Sequence, residues 1–291
     1  MIKKILHSTI AKIIIGLVVI VTVYHFPLFF LNDILREYKV IEIQIARLII
    51  IPIISIIFVL TSYIVLYRYY ERRRITELST RNIGKYLLLG LLLGLLIPSL
   101  SILVAYLRGE YIILSISDLT IIFLRDLIIS IGFGIATAVF EEIFCRGILF
   151  RLVEEKLGSY LALIINSLIF GFLHLMNGNS SFFAGFAISI VGVLITATYM
   201  YTRNLWLPIA IHFALNFAQG NIFGTPVSGE PASTSIIVSQ LEGSKWFTGD
   251  VWGIEATVQI MVFSLIAGIV LLVLSSKKGN IIKQQIFNVK T

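Results

Sequence analysis

Stretches of about twenty consecutive apolar residues recur along this chain, and such stretches admit few folds. An α-helix rises about 1.5 Å per residue, so each one matches the roughly 30 Å hydrocarbon core of a bilayer. In lipid, backbone polar groups must be bonded within a helix or a closed barrel, and runs of this length without alternation read as helices. Clear runs cover Ile10 to Leu31, Ile45 to Tyr67, Tyr86 to Leu107, Phe182 to Tyr201 and Ile254 to Ser275. Two shorter ones, Ser159 to Met176 and Leu205 to Gln219, carry His174 and His212 among apolar neighbours. Leu119 to Lys156 is too long for one crossing, and Arg125 with Asp126 is awkward in lipid, so a further span is expected from near Leu127 to near Arg151. The expectation is an all-α membrane protein with about eight transmembrane helices in one bundle.

Composition agrees with lipid as the main solvent: 58% of the 291 residues are hydrophobic and 13% charged, with a mean hydropathy of +0.96. No linker, repeat or low-complexity tract divides the chain, which reads as a single polytopic domain over residues 1–291. The motif-bearing core is expected at 127–219. Residues 220–253, rich in Gly, Ser and Thr and sparsely charged, read as an extracytoplasmic loop whose composition favours mobility. The formal charge of +7 resides in short stretches between apolar runs, which speaks for cytoplasmic loops and against nucleic acid as a partner. Eight crossings put Lys3, Lys4, Lys12, Arg68 to Arg74, Arg151, Arg203 and Lys277 to Lys290 on one side, against Arg36, Lys39, Arg108 and Lys245 on the other. A multi-pass protein of the cell membrane with both termini cytoplasmic is expected. The apolar run after Lys3 and Lys4 is too long for a signal-peptide core and reads as a retained first span. The single cysteine, Cys145, rules out an intrachain disulfide and a cysteine-rich metal site, and its apolar setting favours inert filler over a nucleophile.

Ionisable groups in the membrane are costly and are functional candidates by default. They cluster in the segment Phe140-Glu141-Glu142-Ile143-Phe144-Cys145-Arg146. Glu142 and Arg146, at i and i+4, share a helix face and can form a supporting ion pair. Glu141 points about 100° away and is left for other work, the position of a general base. Glu141 and His174 stand 17 and 16 residues from Gly158. In an antiparallel hairpin they reach one level, about 25 Å from the turn. His212, about 14 Å beyond Arg203, reaches the same layer, and Asn216 follows it one turn later. A base (Glu141), an imidazole beside it (His174) and two donors for an oxyanion (His212, Asn216) suit metal-free peptide hydrolysis by an activated water. Phe170, one turn before His174, is expected to shape its pocket by packing.

Together, Glu141-Glu142-x-x-x-Arg146, Phe170-x-x-x-His174 and His212-x-x-x-Asn216 resemble the three signature motifs of the CAAX protease and bacteriocin-processing family. The resemblance runs from Phe140 to Asn216; the first three spans and the last match only in being hydrophobic. It implies a glutamic intramembrane endopeptidase with an eight-helix core. In that family the first Glu and first His activate water, and the second His with the Asn holds the oxyanion. Members cleave near the C-terminus of prenylated proteins, or serve bacteriocin maturation, self-immunity or peptide-signal processing. A peptide or lipidated protein is thus the implied substrate, with membrane lipids as surroundings; the oligomeric state stays open.

Three other readings stand beside this one. Glu141, His174 and His212 are also the ligand types of a catalytic zinc site, although no cofactor is the favoured expectation. The same buried groups could relay ions in a transporter, but the two halves share no inverted-repeat spacing. A non-catalytic immunity protein would act by binding a partner.

Overall fold

The computed structural model describes residues 8–31, 33–34 and 41–283. Lys3, Lys4, His7, Arg36, Lys39 and Lys290 lie outside the described residues, as do the two termini. Helix α1 (Thr9–Phe26) continues through a π-helical turn to Leu31, and α2 (Ile41–Val65) likewise to Tyr70. Helix α3 is Ile83–Leu107. Strand β1 (Tyr111–Ile116) leads to α4 (Ile121–Glu142), which passes through a π-helical stretch, Ile143–Phe150, into α5 (Arg151–Leu157). Then come α6 (Ser159–His174), α7 (Phe182–Thr202) and α8 (Trp206–Phe217), the last prolonged to Ile222. Strand β2 (Ile237–Leu241), a short α9 (Lys245–Thr248), two 3-10 turns (Asp250–Trp252 and Ile254–Ala256) and α10 (Val258–Lys277) complete the chain.

This is an all-α membrane protein bearing one two-stranded sheet. Among the described residues six helices are long and apolar enough to cross a membrane, and Ser159–His174 is a shorter apolar one. The two helices that carry histidines, α6 and α8, are thus the short members of the expected set. Large apolar side chains such as Ile14, Leu92, Ile122, Phe182 and Ile266 are exposed. Patches of that kind are anomalous in water and natural against lipid. Helix α7 is 72% buried where the other five spans are buried by a third or less, so α7 is central and the others are peripheral.

Two small-residue crossings set the helices of interest. A side chain on Gly94 of α3 would stand 2.5 Å from the Ile211 carbonyl oxygen, and one on Gly90 2.5 Å from Ala210 Cβ, so α3 and α8 approach to backbone contact. A side chain on Gly171 of α6 would meet the Gly185 carbonyl and Ser189 of α7. At one end of the bundle, cations from α1, the segment after α2, α5 and α7 gather on buried acids. Glu71 takes Lys12 (3.3 Å), Arg73 (3.1 Å) and Arg151 (2.9 Å), while Glu154 takes Arg203. These are residues that the charge pattern places on one side.

Two expectations need correction. Helix α4 begins at Ile121, not near Leu127, and continues unbroken past Arg151 to Leu157. Thr120 caps it by accepting from Phe123 N, and Arg125 and Asp126 neutralise each other at 2.7 Å while both are partly exposed. Residues 220–253 are not a loose loop. Their alternating segment Ile237–Leu241 pairs antiparallel with β1, in register Tyr111 to Leu241, and Trp252 and Ile254 are buried. Gly/Ser/Thr content measures backbone freedom in the unfolded chain; it does not register these few large apolar anchors.

Candidate active site

Helix α4 delivers Glu141 and Glu142 on its last turn, directly before the π-helical stretch. π-Helical turns recur at functional sites because they re-aim side chains, and this one is buried from Ile143 to Phe150. Glu142 turns inward and is fully buried. Its Oε1 accepts from Arg146 Nη1 at 2.8 Å and from His212 Nδ1 at 2.7 Å. Arg146, also fully buried, donates further to Thr196 Oγ1 and to the Gly192 carbonyl, both at 3.2 Å, and lies 4.7 Å over the Phe170 ring. Its three donor nitrogens are thereby all engaged, the condition under which a buried guanidinium is tolerable. Asn166 joins the network by donating to Thr196 Oγ1 at 2.9 Å.

Glu141 points away from this pair and stays about a quarter exposed. Its Oε2 is buried and has no hydrogen-bond partner among the described residues. Two imidazole nitrogens face that oxygen, His174 Nε2 and His212 Nε2, each at 3.9 Å. The tautomers follow from the other ring nitrogens. His174, last residue of α6, has Nδ1 2.8 Å from the Phe170 carbonyl, which only accepts, so Nδ1 carries the proton. His212 Nδ1 meets a carboxylate paired with arginine, so it too donates. The Phe170 ring packs tilted against His174, centroids 4.5 Å apart at 57°, and meets His212 edge-on at 6.0 Å, so one aromatic side chain contacts both imidazoles.

The structure thus brings Glu141, His174 and His212 to one point and places Asn216 beside them, where it lines the same cavity, its amide uncommitted among the described residues. The cavity holds about 690 Å³, between α4, α8 and residues 227–234, enough for a segment of extended peptide. Its carboxylates are Asp126, Glu141 and Glu230, and among the described residues no Lys or Arg lines it. Cys145 is buried beside Phe144 and Phe170, away from that lining. Glu141, His174 and His212 are also zinc-ligand types, and both imidazole nitrogens stand 3.9 Å from the Glu141 oxygen. Among the described residues no group of three or more His, Cys, Asp or Glu side chains is arranged to hold a metal ion.

Sequence reasoning paired Glu142 with Arg146 but missed His212 as the second partner of Glu142. The two stand on helices joined only by tertiary packing, and no local spacing links them. Thr196 and Asn166, lone polar residues in apolar runs, were a legible signal for the Arg146 network. Glu255, discussed below, fell inside an expected span.

Fold and site together define a membrane-embedded helical bundle in which one carboxylate is faced by two imidazoles. Residues 123–218 match the family model Type II CAAX prenyl endopeptidase Rce1-like, a match consistent with the CAAX protease and bacteriocin-processing family. The match contains every motif residue from Glu141 to Asn216. It supports a protease acting in the membrane on a peptide or lipidated substrate. No curated protein and no solved structure matches the chain.

Proposed function

We propose that the chain is an intramembrane endopeptidase in which Glu141 and His174 activate a water for attack on a peptide bond. The observation that carries this reading is the convergence of both Nε2 atoms on an unpartnered, buried Glu141 oxygen. Separations of 3.9 Å are too long for direct hydrogen bonds. They suit a single water, about 2.8 Å from each atom, that donates to Glu141 and to His174 Nε2. Glu141 takes a proton as the water oxygen bonds to the carbonyl carbon. The oxyanion lies toward Asn216, whose amide donates, and toward His212. A ring that donates from both nitrogens carries a positive charge, and the Glu142 carboxylate at 2.7 Å is its counter-ion. When the C–N bond breaks, the proton held by Glu141 or His174 passes to the leaving nitrogen, leaving an acid and an amine and regenerating the site.

The substrate class is a peptide segment presented at the membrane. The family match favours C-terminal processing of a prenylated protein; maturation of a bacteriocin or signal peptide is the alternative that the motif resemblance implies.

The test is a cleavage assay with purified protein in detergent and in liposomes, on matched prenylated and unprenylated peptides. Wild type should cut, Glu141→Gln should lose at least a thousandfold in rate with an unchanged melting profile, and chelator should be harmless. Activity that chelator abolishes would replace this mechanism with a zinc one. A Glu141→Gln variant as active as wild type would remove Glu141 from the chemistry.

A further inference from the structure

Sharing His174, His212, Asn216 and Ser228 with the main cavity, a second, far smaller one of about 20 Å³ adjoins the two imidazoles. Its polar lining is His174, His212, Asn216, Gln219, Ser228 and Glu255. That volume accommodates about one water. Gln219 is 1% exposed, and its Oε1 is buried with no partner among the described residues. Glu255, in the 3-10 turn before α10, is 5% exposed, and its carboxylate accepts the backbone N–H of Ser228.

Ser228 is the tip of a tight turn. Val227 and Glu230 exchange both backbone hydrogen bonds at 2.9 Å, and Ser228 and Gly229 have φ of 51° and 85°. Positive φ at both central positions is the signature of a two-residue hairpin. The tip is held at each remaining backbone group. Asn177 and Asn179, just past His174, donate to the carbonyls of Ser228 and Gly229, both at 3.4 Å, while Gly229 N donates to Trp252 O at 3.2 Å. Glu255 closes the set. The turn then walls the main cavity through Val227, Ser228 and Glu230.

We propose that Glu255 is a further positioning residue of this centre: it latches the Val227–Glu230 turn beside His174 and sets a buried negative charge near His174 and His212. The catalytic half of this inference rests on the peptidase reading; the latch does not. The elements packed on the 254–256 turn are α3, α7, α9, α10 and the preceding turn Asp250–Trp252. Lys245 of α9 is engaged by Asp250 at 2.6 Å, and no Lys or Arg lines the small cavity. The ionisable groups facing Glu255 are therefore His174 and His212. Burial pushes its carboxyl above the usual range, and the attraction of His174, the Ser228 N–H and His212 pulls it back. A carboxylate beside both rings steadies the charge on His212 and any that His174 gains during hydrolysis, without touching substrate.

The experiment compares wild type, Glu255→Gln and Glu255→Ala, each as full-length protein in detergent, by pH-dependent cleavage and by amide hydrogen exchange at residues 227–230. Glutamine keeps an acceptor for Ser228 N–H and removes the charge. Glu255→Gln should retain wild-type exchange, lose about tenfold in kcat with KM within twofold, and show the acid limb of its pH profile moved to lower pH. Glu255→Ala should exchange at least tenfold faster at 227–230. Unchanged exchange in Glu255→Ala overturns the latch. A Glu255→Gln profile superimposable on wild type overturns the charge. If wild type cleaves none of the peptides, the peptidase reading and the charge role fall with it, while the exchange measurement still decides the latch.

Discussion

Replacing Arg146 by methionine should destabilise the fold far more than the loss of one surface ion pair. Arg146 and Glu142 are both fully buried and 2.8 Å apart. The substitution preserves much of the side-chain volume over Phe170 but leaves the Glu142 carboxylate with His212 Nδ1 as its one remaining donor. Removing one partner of such a pair costs about 3–5 kcal/mol, because the other charge stays desolvated. At about 2–4 °C per kcal/mol for a domain of this general size, the melting temperature should fall by roughly 6–20 °C. The assay is thermal unfolding of the purified protein in one detergent, with Glu142→Leu and the double variant Glu142→Leu/Arg146→Met completing a cycle. With both charges gone the double variant should return to within about 1 kcal/mol of wild type or exceed it, a coupling of roughly 5 kcal/mol or more. It should nevertheless stay inactive, since His212 then lacks the acceptor that fixes its ring. A single substitution costing under about 1 kcal/mol, or a double variant as unstable as the two singles summed, would refute the buried-pair argument.

Gly94→Ala and Gly171→Ala should each cost about 1–3 kcal/mol by overpacking and lower cleavage by moving His212 or His174; Gly84→Ala, with nothing within 4 Å of the added carbon, is the silent control in the same melts. The acid Glu230, in a cavity that no Lys or Arg lines among the described residues, should favour peptides with Lys or Arg near the cleaved bond over their Asp or Glu counterparts, by about tenfold in kcat/KM. That preference should narrow with added salt and in Glu230→Gln, which competition assays read directly. Burial alone would raise the carboxyl of Glu77, yet hydrogen bonds from Arg73 and Tyr63 hold it below the ordinary range. With the folded value under the unfolded one, its stabilisation is complete above about pH 4.3 and is lost as pH falls through the folded value. Denaturation midpoints from pH 3 to 7 should therefore show an acid-side decline that Glu77→Gln reduces.

Much of the layout is legible in the chain because helical order is local. Apolar runs mark helices, the i and i+4 spacing joins Glu142 to Arg146, and equal distances from Gly158 bring Glu141 and His174 to one level. Each of these uses only the rise and turn of a single helix or one tight hairpin. Helix ends were less legible, as the start of α4 at Ile121 shows, since a cap and a self-neutralised Arg125 and Asp126 pair outweigh hydropathy.

Long-range partners belong to another level. His212 reaches Glu142 because Gly90 and Gly94 let α8 press into α3 while α4 packs on its other side, a matter of shape between helices far apart in sequence. The pairing of β1 with β2, the seat of the Ser228 turn and the approach of Glu255 to the imidazoles arise in the same way. Helix periodicity and hydropathy act over neighbouring residues, so the order of residues alone is enough to specify a membrane-embedded helical bundle and a shared depth for its Glu and His side chains. Which oxygen each imidazole faces, and which buried charge lies near it, depends instead on the close packing of surfaces that no local spacing encodes.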